Sequence, residues 1–261
     1  MPSALPPRIA IAMPHSGDRQ YAERAIPQYE RAVRLAGGEP VRIPLDLSPA
    51  EVTQIVEYCD AVLLPGSKAD IDPAKFGATR SPRAAAADVR RDTVDQLLLQ
   101  DAYNLRKPVL GICYGLQSLN VYRAGSLIQH IPDFLPEDLR TRVNHQAGKT
   151  VGVAHTVEIA KESGLAQIIG RRSERVIPVN SSHHQSADTI GKGLRMVARC
   201  VDDGIIEALE GTDPNHFVLA VQWHPERSVD DDEPSRAIFH VLVKTAQARR
   251  KELSGKVENR K

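Results

Sequence analysis

The sequence predicts an α/β fold in which a mainly parallel central sheet is flanked by helices and continues into a smaller antiparallel part. Over residues 8–121, short apolar runs of strand length alternate with segments whose apolar residues recur at helical spacing. In the second half, strand candidates follow one another through short turns of Gly, Asp and Pro, which is typical of antiparallel pairing. The chain has 261 residues, 41% of them hydrophobic, which is enough for a packed core.

The first half alternates strands and helices. Residues 1–7 contain three prolines and are predicted to form a loose tail. Ser48 is a favourable cap and Pro49 suits a first turn, so a helix begins there, and Gly37-Gly38 ends the helix before it. Strands are predicted at 8–13, 41–43, 61–64 and 108–112, and helices at 21–36, 49–58, 94–105 and 114–121.

Two segments show no regular pattern. Residues 68–87 contain two prolines and a run of four alanines, which indicates a long surface loop. Long loops in compact domains are often functional, and the sequence leaves open whether this one is a lid. Residues 132–150 are polar and are also predicted to form a loop, after a short apolar run at 125–128.

The second half reads as a series of strands and a closing helix. Asp203-Gly204 lies between two strand candidates and is a hairpin signal. The helix is predicted at 233–250, and the charged residues 251–261 are expected to fray. Strands are predicted at 155–160, 176–180, 194–201, 205–210 and 217–222. No repeat or linker divides the chain, so residues 1–261 are predicted to form a single domain.

The composition excludes several classes of function. Lys and Arg (34) nearly balance Asp and Glu (33), so no bulk charge favours binding to nucleic acid or to a membrane. Three widely spaced cysteines indicate free thiols in a reducing compartment. No leader or long apolar segment is evident, so we expect a cytoplasmic protein. We expect a small-molecule substrate and no cofactor; a homo-oligomer stays open.

The chemistry centres on Cys113, which joins a predicted strand to a predicted helix. Gly111 and Gly115 flank it two residues away on either side, which suits a sharp turn with close backbone packing. At the positive end of a helix, a cysteine is favoured as the reactive thiolate. The alternative, a small buried hydrophobic residue, is the better interpretation for a lone cysteine.

A candidate base follows the last predicted strand. His224 stands at the strand end and Glu226 lies two residues later, so together they provide a proton acceptor and a carboxylate that orients it. In isolation, the same residues would be read as a surface histidine beside an exposed carboxylate. The tight turn at Leu64-Pro65-Gly66 offers a free N–H at Gly66, which could form an oxyanion hole with the N–H of Tyr114; an ordinary turn is the alternative.

Together these motifs resemble the class I glutamine amidotransferase superfamily. The match rests on residues 111–117 (GICYGLQ), on His224-Pro225-Glu226 about a hundred residues later, and on residues 64–66 upstream. Further motifs resemble the gamma-glutamyl-gamma-aminobutyrate hydrolase family, peptidase C26. They are Leu63–Ser67 continuing to Asp72-Pro73 and Phe76-Gly77, Gly125–Leu127 with Gln129, Val143–His145, and Val179–Gln185.

This resemblance implies a flavodoxin-like α/β fold and hydrolysis of gamma-glutamyl amides. Cys113 would attack the gamma-carbonyl, His224 would act as base and then as acid, and Glu226 would orient His224. A gamma-glutamyl thioester would form before water releases glutamate. The sequence departs from the family at Tyr114, where arginine is usual, and at Ala124, where glycine is common. With the Tyr114 side chain expected at the mouth of the site, substrate preference is in question.

Four residues are candidates for substrate binding: Gln117, Ser181, His183 and His184. The last three belong to a predicted loop beside the site. A metal is disfavoured, because adjacent histidines on an extended segment point to opposite sides and no Cys, His or Asp set with ligand spacing joins them. Five further histidines are interpreted as structural: His15, His130, His155, His216 and His240. Solvation is the alternative for Gln117.

Two other functions compete with the hydrolase. One is a glutaminase subunit that delivers ammonia to a partner synthetase; the apparent lack of a second domain that would consume ammonia favours the stand-alone hydrolase. The other is a binding protein that kept the fold and lost catalysis, against which the presence of Cys113, His224 and Glu226 argues.

Overall fold

A nine-stranded mixed sheet forms the centre of the protein. The computed structural model describes residues 5–170 and 175–258. The strands are β1 (Arg8–Ala12), β2 (Glu39–Ile43), β3 (Ala61–Leu64), β4 (Val109–Ile112), β5 (Leu127–Ile128), β6 (His155–Ile159), β7 (Val176–Val179), β8 (Ser186–Ala187), β9 (Leu194–Cys200), β10 (Ile206–Gly211) and β11 (Val218–Val221). The helices are α1 (Arg19–Leu35), α2 (Pro49–Glu57), α3 (Val89–Leu105), α4 (Tyr114–Tyr122), α5 (Ile131–Phe134), α6 (Glu137–Arg140), α7 (Gly164–Ile168) and α8 (Glu233–Glu258).

The sheet has a parallel half and an antiparallel half. Its order is β2-β1-β3-β4-β11-β10-β9-β6-β7, with β5 and β8 forming a separate two-stranded sheet. The strands from β2 to β11 are parallel, and those from β10 to β7 are antiparallel. The predicted α/β architecture is therefore confirmed, and the Asp203-Gly204 hairpin joins β9 to β10.

Helices cover both faces of the sheet, as buried parallel strands require. Apolar residues of α1, α7 and α8 pack on one face, and those of α2, α3 and α4 pack on the other. Parallel strands β4 and β11 are neighbours, so the segments that follow them meet at the same edge. Cys113 directly follows β4, and His224 lies between the end of β11 and the 3₁₀ turn Pro225–Arg227.

Local signals explain how the helices begin. The Ser48 hydroxyl accepts a hydrogen bond from the Glu51 N–H, and the Glu51 carboxylate accepts one from the Ser48 N–H. This capping box satisfies two N–H groups that the first turn of α2 leaves without partners. The predicted role of Ser48 is thus confirmed.

Several short elements were not predicted. Residues 132–150 include most of α5, all of α6 and a 3₁₀ turn at Ala147–Lys149, and α7 and β8 have no counterpart in the prediction. Elements of two to five residues are too short to show a helical or strand period, so local contacts decide them. At α7, for example, the Ser163 hydroxyl accepts a hydrogen bond from the Ala166 N–H.

The closing helix is longer than predicted. It continues to Glu258, so residues 251–258 are helical, whereas a frayed tail was expected. Lys251, Glu252 and Leu253 are good helix formers, and no proline ends the helix. Arg250 also donates hydrogen bonds to the carbonyls of Leu5 and Pro6. Residues 1–4 and 259–261 of the predicted tails lie outside the described residues.

Among the helices that the structure describes, none combines the length and the apolar character that crossing a lipid bilayer requires.

Candidate active site

Cys113 occupies a strained turn between β4 and α4. Its backbone has φ of 54° and ψ of −104°, a conformation that residues with a side chain rarely adopt. The turn is held by neighbours on both sides: the Cys113 N–H donates to the Val221 carbonyl at 2.8 Å, and the Cys113 carbonyl accepts from the N–H of Leu116 at 3.0 Å. These hydrogen bonds fix the strained backbone, so the thiol is directed toward the carboxyl edge of the sheet.

The flanking glycines allow this turn to pack. A Cβ atom on Gly115 would lie 2.1 Å from the Leu64 carbonyl oxygen, and one on Gly111 would lie 2.8 Å from the Gly115 backbone. Any side chain at either position would therefore separate α4 from β3 and β4. The prediction that glycines at this spacing permit close backbone approach is confirmed.

His224 and Glu226 lie beside the thiol. The His224 Nδ1 and the Glu226 Oε1 are 2.8 Å apart, and Cys113 and His224 border the same pocket. Both side chains are buried. Asn180 clamps the His224 backbone, because its Nδ2 donates to the His224 carbonyl and its Oδ1 accepts from the His224 N–H, each at 2.9 Å. The ring is thus fixed between a carboxylate and a thiol.

Electrostatics favour a protonated His224 beside an ionised Glu226. Burial opposes the imidazolium, but the charges of Glu226 and Cys113 outweigh burial and raise the pKa of His224 to about 9. Burial likewise opposes ionisation of Glu226, and the charge of His224 outweighs it and lowers the pKa of that carboxyl. At neutral pH the arrangement can hold a proton on His224 beside the Glu226 carboxylate.

The turn after β3 is close to both groups, but its N–H is not free. A Cβ on Gly66 would lie 3.0 Å from the His224 Cε1 and 3.7 Å from the Cys113 Cβ. The Gly66 N–H donates to the Tyr29 hydroxyl at 3.0 Å, which corrects the expectation of a free donor. Tyr29 comes from α1, on one face of the sheet, so the sequence around Gly66 could not reveal it.

Tyr114 borders the pocket at the thiol, but its side chain lies elsewhere than predicted. Its side chain is buried, and its hydroxyl donates to the Asp92 Oδ1 at 2.5 Å. The Arg91 guanidinium stacks on its ring, 4.7 Å from the centroid. The side chain is therefore packed against α3 and is not exposed at the mouth of the site. Because Tyr114 is the first residue of α4, its backbone N–H has no partner within the helix.

Arg91 connects the loops that follow β1 and β3, a role that the sequence did not predict. It is fully buried, forms an ion pair with Asp95 at 2.7 Å, and donates to the carbonyls of Pro14 at 3.1 Å and Pro65 at 2.6 Å. These carbonyls belong to the loops after β1 and β3. The sequence shows only a charged residue near the start of a helix, which is typical of an exposed side chain, so no signal identified this role.

A pocket of about 330 Å³ opens over the thiol. Cys113 and His224 line it together with Gln117, whose Nε2 donates to the Gln185 carbonyl at 3.1 Å. The predicted position of Gln117 beside the nucleophile is thus observed. Charged and polar side chains form the rest of the wall, among them Tyr21, Arg24, Lys68, Asp70 and Arg227.

Four consecutive residues of the segment 180–185, Ser182 to Gln185, border the pocket. Ser182 and His184 face the pocket, and the His184 Nε2 lies 3.0 Å from the Asp70 carboxylate. Ser181 is fully buried and does not line the pocket, while the ring nitrogens of His183 are directed to interior groups. The candidate Ser181 is therefore one residue away from the pocket, whereas the candidates His183 and His184 both border it.

His183 instead joins a buried group that we name the histidine cluster: His145, His155, His183 and Glu207. Their side-chain nitrogen and oxygen atoms lie within 4.8 Å of one another, and all four residues are buried. Histidine and glutamate are residue types that bind zinc in proteins. The sequence predicts no ligand set for the paired histidines, and the structure places His183 in a candidate set while His184 is directed to Asp70.

Comparison with known proteins agrees with the geometry. The profile of the peptidase C26 family matches residues 9–226. The Mycobacterium tuberculosis protein named "Putative glutamine amidotransferase Rv2859c" is 39% identical over 220 residues, which are 84% of this chain and 66% of that protein. Gamma-glutamyl-gamma-aminobutyrate hydrolase PuuD of Escherichia coli is 30% identical over 249 residues, 92% of this chain and 94% of PuuD.

Solved structures share the fold. A "putative gmp synthase subunit a protein" from Thermoplasma acidophilum superposes with a TM-score of 0.66 at 15% identity, over 97% of this chain and 100% of that one. At this level of identity the similarity concerns the arrangement of the sheet and its helices, and it carries no information about the substrate.

Proposed function

The chain belongs to the peptidase C26 family and has the class I glutamine amidotransferase fold, and we propose that it is a cysteine-dependent hydrolase of gamma-glutamyl amides. One observation carries this proposal. A strained cysteine at the carboxyl edge of a parallel sheet contacts a buried histidine–glutamate pair and opens into a polar pocket. Those are the groups that acyl transfer from an amide requires.

The proposed reaction forms and then hydrolyses a thioester. The Cys113 thiolate attacks the gamma-carbonyl carbon, with the thiol proton held on His224. The tetrahedral intermediate collapses, the C–N bond breaks, and His224 protonates the leaving amine. Water then gives a proton to His224 and attacks the thioester, which releases glutamate and restores the thiol. Glu226 keeps the Nδ1 proton of His224 directed toward itself, so that Nε2 faces the reaction.

The oxyanion would be stabilised by backbone N–H groups. The N–H of Tyr114 is free of intrahelical bonding and lies at the positive end of α4. The Gly66 N–H would have to exchange the Tyr29 hydroxyl for the substrate oxygen. The next N–H along this turn, of Ser67, has no partner among the described residues and belongs to the pocket wall, which makes it the alternative donor.

The charges of the pocket suit the glutamyl end of the substrate. A gamma-glutamyl group carries an α-carboxylate and an α-ammonium. Arg24, Lys68 and Arg227 supply positive charge, and Asp70, 3% exposed, supplies a carboxylate beside His184. We place the α-carboxylate near the cationic side chains and the α-ammonium near Asp70, with the amine half of the substrate directed toward solvent.

The proposal also includes the cellular setting. All three cysteines are unpaired and buried, which supports a reducing compartment such as the cytoplasm. The nucleophile and the base both come from the chain itself, so the reaction requires no cofactor.

The decisive experiment measures glutamate release from a panel of gamma-glutamyl amides and from free glutamine. We expect turnover of gamma-glutamyl-aminobutyrate or a related amide, little turnover of glutamine, and none above background for Cys113→Ala. Cys59→Ala is the matched control, because Cys59 is also buried but lies in the core and away from the pocket. It should retain the parent's rate.

Two results would reject this function. Turnover of glutamine alone would indicate a glutaminase subunit that supplies ammonia to a partner. No release from any substrate, by a protein that circular dichroism shows to be folded, would favour a binding protein of the same fold.

A further inference from the structure

The histidine cluster is assembled from four separate parts of the chain. His155 begins β6, Glu207 lies on β10, His145 belongs to the loop after α6, and His183 belongs to the segment after β7. The Glu207 Oε1 lies 3.3 Å from the His145 Nδ1, 3.2 Å from the His155 Nε2 and 3.4 Å from the His183 Nε2. Three ring nitrogens therefore converge on one carboxylate oxygen, outside the proposed catalytic groups.

In each ring, the nitrogen that faces away from Glu207 contacts a group that can only accept a hydrogen bond. The His145 Nε2 meets the Asp203 carboxylate at 2.8 Å, the His183 Nδ1 meets the Gln185 carbonyl at 2.8 Å, and the His155 Nδ1 meets the Thr156 carbonyl at 3.4 Å. A carbonyl or carboxylate oxygen must receive a proton from the ring. The outer nitrogen of each neutral histidine therefore carries the N–H.

The inner nitrogens consequently present lone pairs to an anionic oxygen. All three, together with both oxygens of Glu207, are buried and lack a hydrogen-bond partner among the described residues. Five unsatisfied polar atoms in one dry cluster are costly, and lone pairs that face a carboxylate repel it. A positive charge placed between these atoms would satisfy all of them at once.

Protons alone do not resolve this arrangement. One extra proton on His145 would satisfy one inner nitrogen and leave those of His155 and His183 facing Glu207. Protonating all three rings would place three cations in contact, with His145 and His155 rings 4.6 Å apart and His145 and His183 rings 4.8 Å apart. The three positive charges of such a group would exceed by one the two negative charges of Glu207 and Asp203.

We propose that the histidine cluster binds one divalent transition-metal ion of the zinc class, with His145 Nδ1, His155 Nε2, His183 Nε2 and Glu207 as ligands. Three imidazoles and a carboxylate suit zinc, and bond lengths of about 2.0–2.1 Å place tetrahedral ligand atoms about 3.3 Å apart. The three distances to Glu207 match this separation. Asp203 supplies the outer carboxylate that commonly orients a metal-binding histidine.

The role of this ion is structural. Four protein ligands fill a tetrahedral shell and leave no position for substrate, and Cys113 is not among them. The site ties the loop that carries His145 and the segment 180–185 onto β6 and β10. That segment includes Asn180, which holds His224, and Ser182 and His184, which line the pocket. The ion would therefore stabilise one wall of the pocket without taking part in the reaction.

The test measures metal content and affinity on the full chain. We expect about one zinc per chain by mass spectrometry after dialysis, and a zinc-dependent rise in Tm after removal with a chelator. Cobalt(II) should restore the Tm and give the intense visible absorption of a four-coordinate ion. Cys113→Ala should keep the metal, so loss of the proposed activity and loss of the metal are distinguishable.

The Glu207→Gln variant distinguishes a cluster that binds a metal from a metal-free cluster held by hydrogen bonds. The amide keeps the shape but removes the charge, so zinc affinity should fall at least about 100-fold and the zinc-dependent rise in Tm should disappear. In a metal-free cluster the same amide would donate to a histidine lone pair and would raise the Tm. His240→Gln, an exposed histidine on α8, is the matched control and should retain the metal.

Two results would overturn the proposal. The first is a wild-type chain that neither retains zinc nor gives the four-coordinate cobalt(II) absorption. The second is a Glu207→Gln variant that is more stable than wild type and binds zinc no differently. The wild-type cobalt(II) spectrum decides the question even if the variant fails to fold.

Discussion

Two buried histidine–carboxylate sites lie on either side of one extended segment, residues 180–185. In the first, His224 and Glu226 are two residues apart, and the ring also contacts a thiol in an open pocket. In the histidine cluster, three rings from three parts of the chain surround Glu207, and all four side chains are enclosed. The segment contributes Asn180 to the first site and His183 to the second.

The direction of the ring N–H distinguishes the two sites. At His224 the carboxylate takes the N–H at Nδ1, so the opposite nitrogen is free to exchange a proton with Cys113. In the histidine cluster, outer acceptors take the N–H groups, so lone pairs point inward toward Glu207. The same residue types therefore suit proton transfer in one place and cation binding in the other. Burial alone does not distinguish these two outcomes.

Glu226→Gln should have the largest effect of the variants that test this comparison. The imidazolium form of His224 is present below its pKa of about 9 and is lost as the pH rises through that value. Removing the Glu226 charge lowers this pKa, so the alkaline limb of the kcat/KM profile should move to lower pH. We also expect kcat/KM at neutral pH to fall roughly 100-fold, the contribution of an oriented acid–base group.

Glu207→Gln is the control for this shift, because it removes a carboxylate from the other site. Its alkaline limb should coincide with that of the parent, whatever happens to its metal content. An unmoved limb in Glu226→Gln would contradict the assignment of His224 as the titrating base.

Asn180→Ala should have a smaller effect, because it removes a clamp on the backbone and no reacting group. The side chain makes two hydrogen bonds to His224, and losing the geometry they enforce is expected to lower kcat about tenfold with little change in KM. Steady-state kinetics on the best amide of the panel measure this.

Asn180→Asp provides a graded comparison. It keeps the acceptor for the His224 N–H but loses the donor to the His224 carbonyl, so its kcat should lie between those of the parent and Asn180→Ala. Equal kcat in all three proteins would show that the segment 180–185 does not position His224.

The first site could be predicted because its signals are local. Gly111, Cys113 and Gly115 lie within five residues, and His224 and Glu226 within three. Periodicity identified β4 and the strand before His224, and parallel neighbours bring their carboxyl ends together. The resemblance to a family then linked the two motifs. The parallel half of the sheet was predictable for the same reason, since β3, β4 and β11 are continuous apolar runs and β1 is apolar after Arg8.

The histidine cluster could not be predicted, because its residues are brought together only by the antiparallel half of the sheet. Each histidine by itself looks like an ordinary core residue, and the order β10-β9-β6-β7 is not encoded in any local pattern. The register of the segment 180–185 was missed for a related reason. A shift of one residue exchanges Ser181 for Ser182, and only packing decides which of them faces the pocket.

Tyr29→Phe should have the smallest effect. It tests whether the Gly66 N–H stays bonded to the Tyr29 hydroxyl or takes part in the oxyanion hole. The Tyr29 hydroxyl accepts the Gly66 N–H, and removing it leaves a buried N–H without its partner, so the free energy of unfolding should fall by about 1 kcal/mol. If the Ser67 and Tyr114 N–H groups bind the oxyanion, kcat/KM should change less than about threefold, a difference worth under about 1 kcal/mol. Chemical denaturation and amide hydrolysis measure the two quantities. A rate increase of tenfold or more would instead mean that Tyr29 withholds the Gly66 N–H from the substrate, and that Gly66 belongs to the oxyanion hole after all.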